Sequence, residues 1–321
     1  MTPKMIVVTG ASGFIGSWVL ETLARECQGS SIIGVGRRAD PPAWADRRNC
    51  EYVSADLLNP AIVRARLPAK IDVLIHLAGD ARTFLKPEEC IGQTEANVLL
   101  TAHMADYAAE AGAELFLLAS SVYVYSGVAT CPFHEDTLDV PAENLGATKI
   151  AGEALVKARA LAGGFHALAC RIFTVYGPRS RSTQFIPEAV RKLQSSDEVA
   201  RFGAPEVRRD FVYVEDVAAA VMAGLAFRNT GLPWAALNVG SGKSTSIREL
   251  VSLLADLLGV KKRIEFAPAE RAKSEANRDH GADVTRIKSM LGWQPTIPLK
   301  EGLGRTIESL KAPSHISLAR G

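Results

Sequence analysis

Near the start of the chain, Thr9-Gly10-Ala11-Ser12-Gly13-Phe14-Ile15-Gly16 lies between an apolar run at residues 4–9 and a helical stretch at 14–26. A buried strand that passes through three glycines straight into a helix leaves few folds open. The Gly-x-x-Gly-x-x-Gly spacing lets backbone approach a pyrophosphate. The helix behind it offers amide donors and the positive end of its dipole. In strand–turn–helix context the spacing is specific, and it makes Gly10, Gly13 and Gly16 candidate dinucleotide-binding residues.

The first half of the chain goes on alternating. Strands are expected at residues 31–35, 52–55, 72–77, 115–119 and 166–171, and helices at 94–111 and 148–161. Such alternation predicts a doubly wound parallel α/β sheet covered on both faces. Beyond Arg171 the pattern loosens, and Gly177-Pro178 breaks the chain. Helices at 185–194, 217–227 and 246–258 and strands at 211–214 and 237–239 fit a smaller mixed α/β lobe. The expected organisation is a dinucleotide-binding domain over 1–170 and a substrate lobe over 171–311. Segments at about 211–240 return to the first domain, and 312–321 form a tail.

Composition excludes several classes. The 321 residues suffice for a large core in two lobes. A net charge of +2 from 37 basic and 35 acidic residues argues against a polyanion-binding surface, so no nucleic-acid partner is expected. No apolar run reaches membrane-spanning length, and residues 1–8 read as a strand opening rather than a signal peptide, so no membrane partner is expected. The five cysteines are scattered without paired metal spacing, and the six histidines form no ligand motif. No metal site is expected, and the thiols read as reduced in a cytoplasmic protein.

The second strand ends in Gly36-Arg37-Arg38. An acid at that point accepts from the ribose hydroxyls of an unphosphorylated dinucleotide and repels a 2′-phosphate, whereas guanidiniums attract one. Arg37 and Arg38 therefore favour NADP over NAD. Asp56, after the third strand, is a natural partner for the adenine amino group. Leu77-Ala78-Gly79, after the fourth, would let backbone pass under the cofactor.

The chain resembles the extended short-chain dehydrogenase/reductase family, of the epimerase/dehydratase type that modifies nucleotide sugars on a Rossmann fold. The matching stretches are Thr9 to Gly16, His76-Leu77-Ala78-Gly79, Ser120-Ser121-Val122-Tyr123-Val124-Tyr125 and Arg171-Ile172-Phe173-Thr174-Val175-Tyr176-Gly177-Pro178-Arg179. To these are added Arg209-Asp210-Phe211-Val212-Tyr213-Val214-Glu215-Asp216-Val217, Leu237-Asn238-Val239-Gly240-Ser241-Gly242 and Leu291-Gly292-Trp293-Gln294-Pro295. They run in the family's order over nearly the whole chain. The resemblance implies cofactor contacts from Ser12, Phe14, Ile15, Leu57, Lys149 and Phe173 as well. It also implies substrate contacts from Thr174, Arg179 and Arg209, where Arg209 would grip the diphosphate of a nucleotide-diphosphate sugar and Arg208 is its rival. Arg271, Lys273 and Arg278 lie near a second phosphate-gripping position. Asp216 and Asp283 are expected to hold the C-terminal lobe together. The family often pairs as homodimers through the helices that correspond to 94–111 and 148–161. Gly240-Ser241-Gly242-Lys243-Ser244-Thr245 imitates a phosphate-binding P-loop, but Leu237 stands where the first glycine is needed.

The family's proton-transfer group is a tyrosine one helical turn before Lys149, and this chain has Leu145 there. Ser121 matches the serine that polarises the reacting oxygen, and Lys149 the lysine that holds the nicotinamide ribose. Leucine cannot move a proton, and loss of a general acid costs ~10²–10⁴-fold in rate. Three repairs are open: Tyr123 as acid, two residues past Ser121 on the same side of an extended segment; a water or the substrate itself shuttling the proton; or loss of catalysis. The leading reading is thus an NAD(P)-dependent oxidoreductase or epimerase acting on a nucleotide-linked sugar or its 4-keto derivative. A dinucleotide-binding pseudoenzyme or regulator is the second, and an enzyme on a small carbonyl compound the third. Val122-Tyr123 in place of the dehydratases' Asp-Glu pair argues against ordinary 4,6-dehydration.

Overall fold

The computed structural model describes residues 3–39, 49–83, 85–128, 130–137, 140–267 and 279–311. Its centre is a seven-stranded sheet in which every pairing is parallel. The strands are β1 (Met5–Thr9), β2 (Ser31–Gly36), β3 (Cys50–Ser54), β4 (Val73–His76), β5 (Leu115–Ser121), β6 (His166–Ile172) and, from late in the chain, β10 (Trp234–Val239). Their spatial order is β10-β6-β5-β4-β1-β2-β3. Runs such as Met5-Ile-Val-Val-Thr9 and Val73-Leu-Ile-His76 are buried on both faces because helices cover both sides. Strand order reverses between β1 and β4, which opens a crevice outside their carboxyl ends. The register places Thr9 beside Val35 and His76, and Ser121 beside Ile172, so the residues leaving the sheet meet at one edge.

Helices α1 (Phe14–Glu26) and, later, α7 (Val214–Gly224) cover one face; Val19, Leu20 and Leu23 share a core with Val217, Val221 and Trp293. Helices α2 (Pro60–Arg66), α4 (Leu100–Glu110) and α5 (Asn144–Leu161) cover the other, where Val63, Met104, Ala105, Ala108 and Val156 pack. A third core joins α6 (Phe185–Gln194), α8 (Ile247–Leu258) and α10 (Leu299–Lys311) to a three-stranded sheet, β11-β9-β7. That sheet consists of β7 (Thr174–Tyr176), β9 (Arg208–Tyr213) and β11 (Ser244–Ser246), with β8 (Val199–Phe202) and β12 (Arg263–Phe266) forming a separate parallel pair. Helix α9 (Thr285–Leu291) packs near β10. Asp216 accepts from the Thr296 amide and hydroxyl and the Ile297 amide, and Asp283 accepts from the Thr285 amide; each carboxylate fixes a C-terminal turn.

Three expectations need correction. The helix expected at 94–111 is interrupted: α3 (Cys90–Thr94) passes into a π-helical turn, Glu95–Leu99, before α4. Such turns are rare and frequent at functional sites, and here the turn buries Asn97. Helix α5 starts at Asn144, not 148. Its first turn contains Gly146, a poor helix former kept because a Cβ there would lie 2.2 Å from the Tyr123 carbonyl oxygen. Residues 122–125 form a 3₁₀ turn rather than an extended segment, so Tyr123 does not share a strand face with Ser121. The expected basic residues Arg271, Lys273 and Arg278 and the tail at 312–321 lie outside the described residues.

The β1–α1 turn is the tightest point. Gly10 adopts φ +69°, and a Cβ on it would lie 2.7 Å from the Ala78 nitrogen. A Cβ on Gly16 would lie 2.1 Å from the Gly10 carbonyl oxygen. Gly16→Ala is therefore expected to destabilise the fold by at least about 2 kcal/mol, as overpacking against backbone does. Urea denaturation of the two proteins checks this, and equal midpoints would show that the turn yields.

Candidate active site

The floor of the crevice is the first turn of α1. Gly13 is its cap residue, no side chain caps the turn, and no acidic residue sits in it. The amide end of the helix is thus left to an anion. The Leu77–Gly79 segment is stapled above it: the Ala78 amide donates to the Thr9 hydroxyl at 3.2 Å and the Leu77 amide to the Thr9 carbonyl at 3.3 Å. The Thr9 hydroxyl in turn lies 2.7 Å from His76 Nδ1, and His76 Nε2 lies 3.1 Å from the Thr101 hydroxyl. Thr101 donates to the Asn97 carbonyl, so it accepts from His76 Nε2–H, and Nδ1 accepts from Thr9. Burial first, then the nearby Lys149 charge, pushes His76 down to about 3.

Toward the edge of the sheet, β2 ends at Gly36, beside the Tyr52 hydroxyl and the Ser12 hydroxyl. Tyr52 donates to the Arg38 carbonyl at 2.9 Å and so fixes the path of the two arginines. A cavity of about 470 Å³ opens next to it, lined by Arg37, Ser54, Ala55, Asp56 and Arg66, among others. Asp56 also accepts from the Leu58 amide, while Leu57 is buried in the core beneath. Arg66, at the end of α2, and Tyr52 carry no sequence signal of their own.

On the other side of the crevice, Lys149 Nζ donates to the Ala119 carbonyl at 3.0 Å. A Cβ on Gly79 would lie 2.7 Å from Asn97 Oδ1 and 3.3 Å from Lys149 Nζ, so the bare backbone at Gly79 runs directly along the amine. Asn97 holds that backbone: it accepts from the Asp80 amide and donates to the Asp80 carbonyl and the Thr148 hydroxyl. Burial pulls the Lys149 ammonium down to about 8, against the opposing pull of Glu153 and Asp80. Ser121 caps the 3₁₀ turn by accepting from the Tyr123 amide at 3.3 Å. Leu145 is 2% exposed, at the start of α5 and on the Lys149 side of that helix.

Tyr123 faces the smaller lobe. Its hydroxyl is hydrogen-bonded to Thr83, with the Arg209 and Glu143 charges near, and burial raises its pKa above the usual phenol value. Its ring meets His280 edge-on at 5.6 Å. His280 is also buried and is pushed down to about 3 by burial and by Arg209. Of the two rival arginines, Arg208 is committed to the Ser244 carbonyl and Glu249, which leaves Arg209 as the one on the crevice side with Tyr123. Arg179, expected among the substrate contacts, is instead held on α1: it reaches Glu21 at 2.8 Å and stacks over Trp18 at 4.6 Å. Phe173 packs with Tyr125 and Phe133, and Thr174 begins β7 beside Phe211. The P-loop look-alike is spoken for as well. Asp210 takes the Ser241 and Gly242 amides, and the Ser244–Ser246 strand separates the glycines from the helix that begins at Ile247.

Behind the site runs a buried polar chain, centred on Glu153, which no sequence motif marked. Glu153 accepts from the Ser120 hydroxyl at 2.5 Å and from Arg171 at 3.0 and 2.7 Å. Arg171 continues to the Tyr125 hydroxyl and the Glu135 carbonyl, and Tyr125 donates to Asn238. The chain ties β5, α5, β6 and β10 together immediately under Ser121.

A dinucleotide-type crevice with a lysine and a serine at its reacting end defines a nucleotide-cofactor enzyme of the short-chain dehydrogenase type. The model of the NAD dependent epimerase/dehydratase family matches residues 6–240, and the chain belongs to that family. It is 29% identical over 314 residues to UDP-glucuronate 4-epimerase of Thermodesulfobacterium geofontis, covering 94% of each chain. It is 30% identical to GDP-6-deoxy-D-mannose reductase of Pseudomonas aeruginosa, covering 94% of this chain and 95% of that one. Among solved structures, MoeE5 in complex with UDP-glucuronic acid and NAD is similar at 32% identity and a TM-score of 0.82, over 95% of this chain and 98% of that one.

The buried neutral histidines make stability depend on pH. His76 binds no proton in the folded state until about pH 3, whereas an unfolded histidine does so near 6.5. Stability is therefore whole above about 6.5 and falls on acidification, by up to about 1.4 kcal/mol per pH unit for each such group. Urea midpoints between about pH 7.5 and 5.5 should show this slope, reduced by about one proton in His76→Gln. An unchanged slope in the variant would mean that His76 is not the group responsible.

Proposed function

We propose that this protein is a nicotinamide-dinucleotide-dependent oxidoreductase or epimerase acting on a nucleotide-linked sugar or its 4-keto derivative. The observation that carries the reading is Lys149 Nζ lying against the bare backbone of Gly79 and bonded to β5, the strand that ends in Ser121. With no side chain at Gly79, the backbone packs on Asn97 and the lysine amine, an edge that suits the ribose and nicotinamide of a dinucleotide. Relatives named for UDP-sugar and GDP-sugar chemistry, and the likeness to a MoeE5 complex holding UDP-glucuronic acid and NAD, support the substrate class.

In this reading Gly10, Ser12, Gly13, Phe14, Ile15 and Gly16 hold the pyrophosphate, Asp56 and Leu57 the adenine, and Leu77, Ala78, Gly79, Lys149 and Phe173 the nicotinamide half. When bound, the dinucleotide accepts or returns a hydride at the sugar carbon. Ser121 donates to the reacting oxygen, and Arg209 and Thr174 hold the nucleotide sugar, with Tyr123 beside them. Residues 1–170 serve the cofactor and 171–311 the substrate. The small-residue faces of α4 and α5, with Leu99, Leu155 and Leu161 left exposed, suit a homodimer. A chain without disulfides suits the cytoplasm. No helix among the described residues is long and apolar enough to cross a membrane.

Arg37 and Arg66 flank the cavity beside Gly36 and give the site a preference for the 2′-phosphorylated dinucleotide. Fluorescence titration with reduced NADP and NAD tests this. NADP should bind more tightly, and Arg37→Ala should weaken it about tenfold, the value of one charge-assisted contact, while leaving NAD nearly unchanged. Tighter binding of NAD would refute the preference without touching the rest.

A further inference from the structure

We infer that Lys149 itself carries the proton to and from the substrate oxygen, in the role that a tyrosine at position 145 would otherwise fill. The inference rests on the functional reading above and names the group that completes its chemistry. Four observations converge on it. Leu145 is buried one turn before Lys149 on the same helix, so helix α5 offers no other proton carrier at that place. Lys149 Nζ is fixed at the crevice by the Ala119 carbonyl and lies against Gly79, next to the strand that ends in Ser121. Tyr123 sits on a 3₁₀ turn, with its hydroxyl on Thr83 toward Arg209 and its ring against His280. Ser121 takes the Tyr123 amide on its oxygen, and a hydroxyl that accepts one bond still has its O–H to donate.

The electrostatics agree with this placement. The charged groups around the amine are Glu153 on its own helix and Asp80 on the loop after β4, with neutral His76 on β4. The two carboxylates favour the ammonium, burial opposes it more strongly, and the result is an amine that titrates at about 8. A group with that value exchanges protons readily at neutral pH, as a lysine in its ordinary range does not. In the oxidative direction the substrate O–H bond breaks and its proton forms an N–H bond on neutral Lys149. The C–H bond breaks in the same step, and its hydrogen and electron pair leave as hydride to the nicotinamide dinucleotide. The products are a ketone, reduced dinucleotide and an ammonium; the return step reverses each bond change.

Two measurements decide it. First, carbon-13 lysine-labelled protein is titrated by NMR, with Lys149 identified by the resonance missing from Lys149→Met. A midpoint near 8 is expected, against about 10.4 for surface lysines; a midpoint in the surface range overturns the inference, and this result needs no turnover. Second, turnover of UDP-glucuronic acid or UDP-glucose and dinucleotide affinity are compared in Lys149→Arg, which keeps a cation and donors but cannot release a proton. Turnover should fall by at least ~100-fold while affinity changes by less than about tenfold, and adding Leu145→Tyr should return part of the rate. Retention of turnover in Lys149→Arg, or a ~100-fold loss in Tyr123→Phe, contradicts the role. Failure of the unaltered protein to take up any dinucleotide overturns the functional reading instead, and is read separately from either variant.

Discussion

The crevice exists because one piece of backbone lies directly on another. Gly10 brings the turn after β1 against the Leu77–Ala78 segment that follows β4, with room for hydrogen atoms and nothing more. The Thr9 hydroxyl then secures the contact by accepting from Ala78 and donating to His76. Through His76, Thr101 and Asn97 the same chain of hydrogen bonds reaches the backbone at Asp80. The bare edge at Gly79, along which Lys149 lies, is thus positioned by the same contact that opens the cradle on α1. Cofactor floor and reacting end are parts of one hydrogen-bonded structure.

What surrounds that structure is divided by polarity. Below Ser121, the Glu153–Arg171 pair and its partners are wholly internal and satisfied, and they make the ends of β5 and β6 rigid. Such a pair adds little net stability over an apolar core but is costly to break, which suits it to holding geometry. Above Ser121, Tyr123, His280, Glu143 and Arg209 form a second polar group on the side of the smaller lobe. Leu145 is buried in the first turn of α5. Leu145 offers the lysine no hydrogen bond from its side chain, and burial lowers the ammonium to about 8.

Much of this architecture was legible in the residues themselves. Helix α1 runs from Phe14 to Glu26 as the glycine turn and its periodicity imply, and the strands through Ile172 fall where their buried runs predict. Ser246 and Glu249 form a reciprocal cap that starts α8 one residue later than expected. The failures have physical causes. Short strands such as β7, β8, β11 and β12 contain too few residues to show a period and are defined by their partners. The π-helical turn at Glu95–Leu99 has no local signature, since it answers to the fit of Asn97 against Asp80 and Thr148. Tyr123 was expected on an extended segment because the strand before it is one; the chain tightens as soon as it leaves the sheet. Arg66 and Tyr52 reach the Arg37–Arg38 end, Glu153 the core under Ser121 and His280 the Tyr123 ring only through tertiary structure.

The central claim is that hydride chemistry persists here without the tyrosine. Its most direct test is to mix the protein rapidly with a dinucleotide and, in turn, UDP-, dTDP- and GDP-linked sugars, and to follow the absorbance of reduced nicotinamide within one turnover. The account predicts a transient or lasting change with at least one nucleotide sugar and none when either component is left out. Firm binding of both components with no change in that absorbance, for any of them, would contradict it and leave a protein that holds its cofactor without using it.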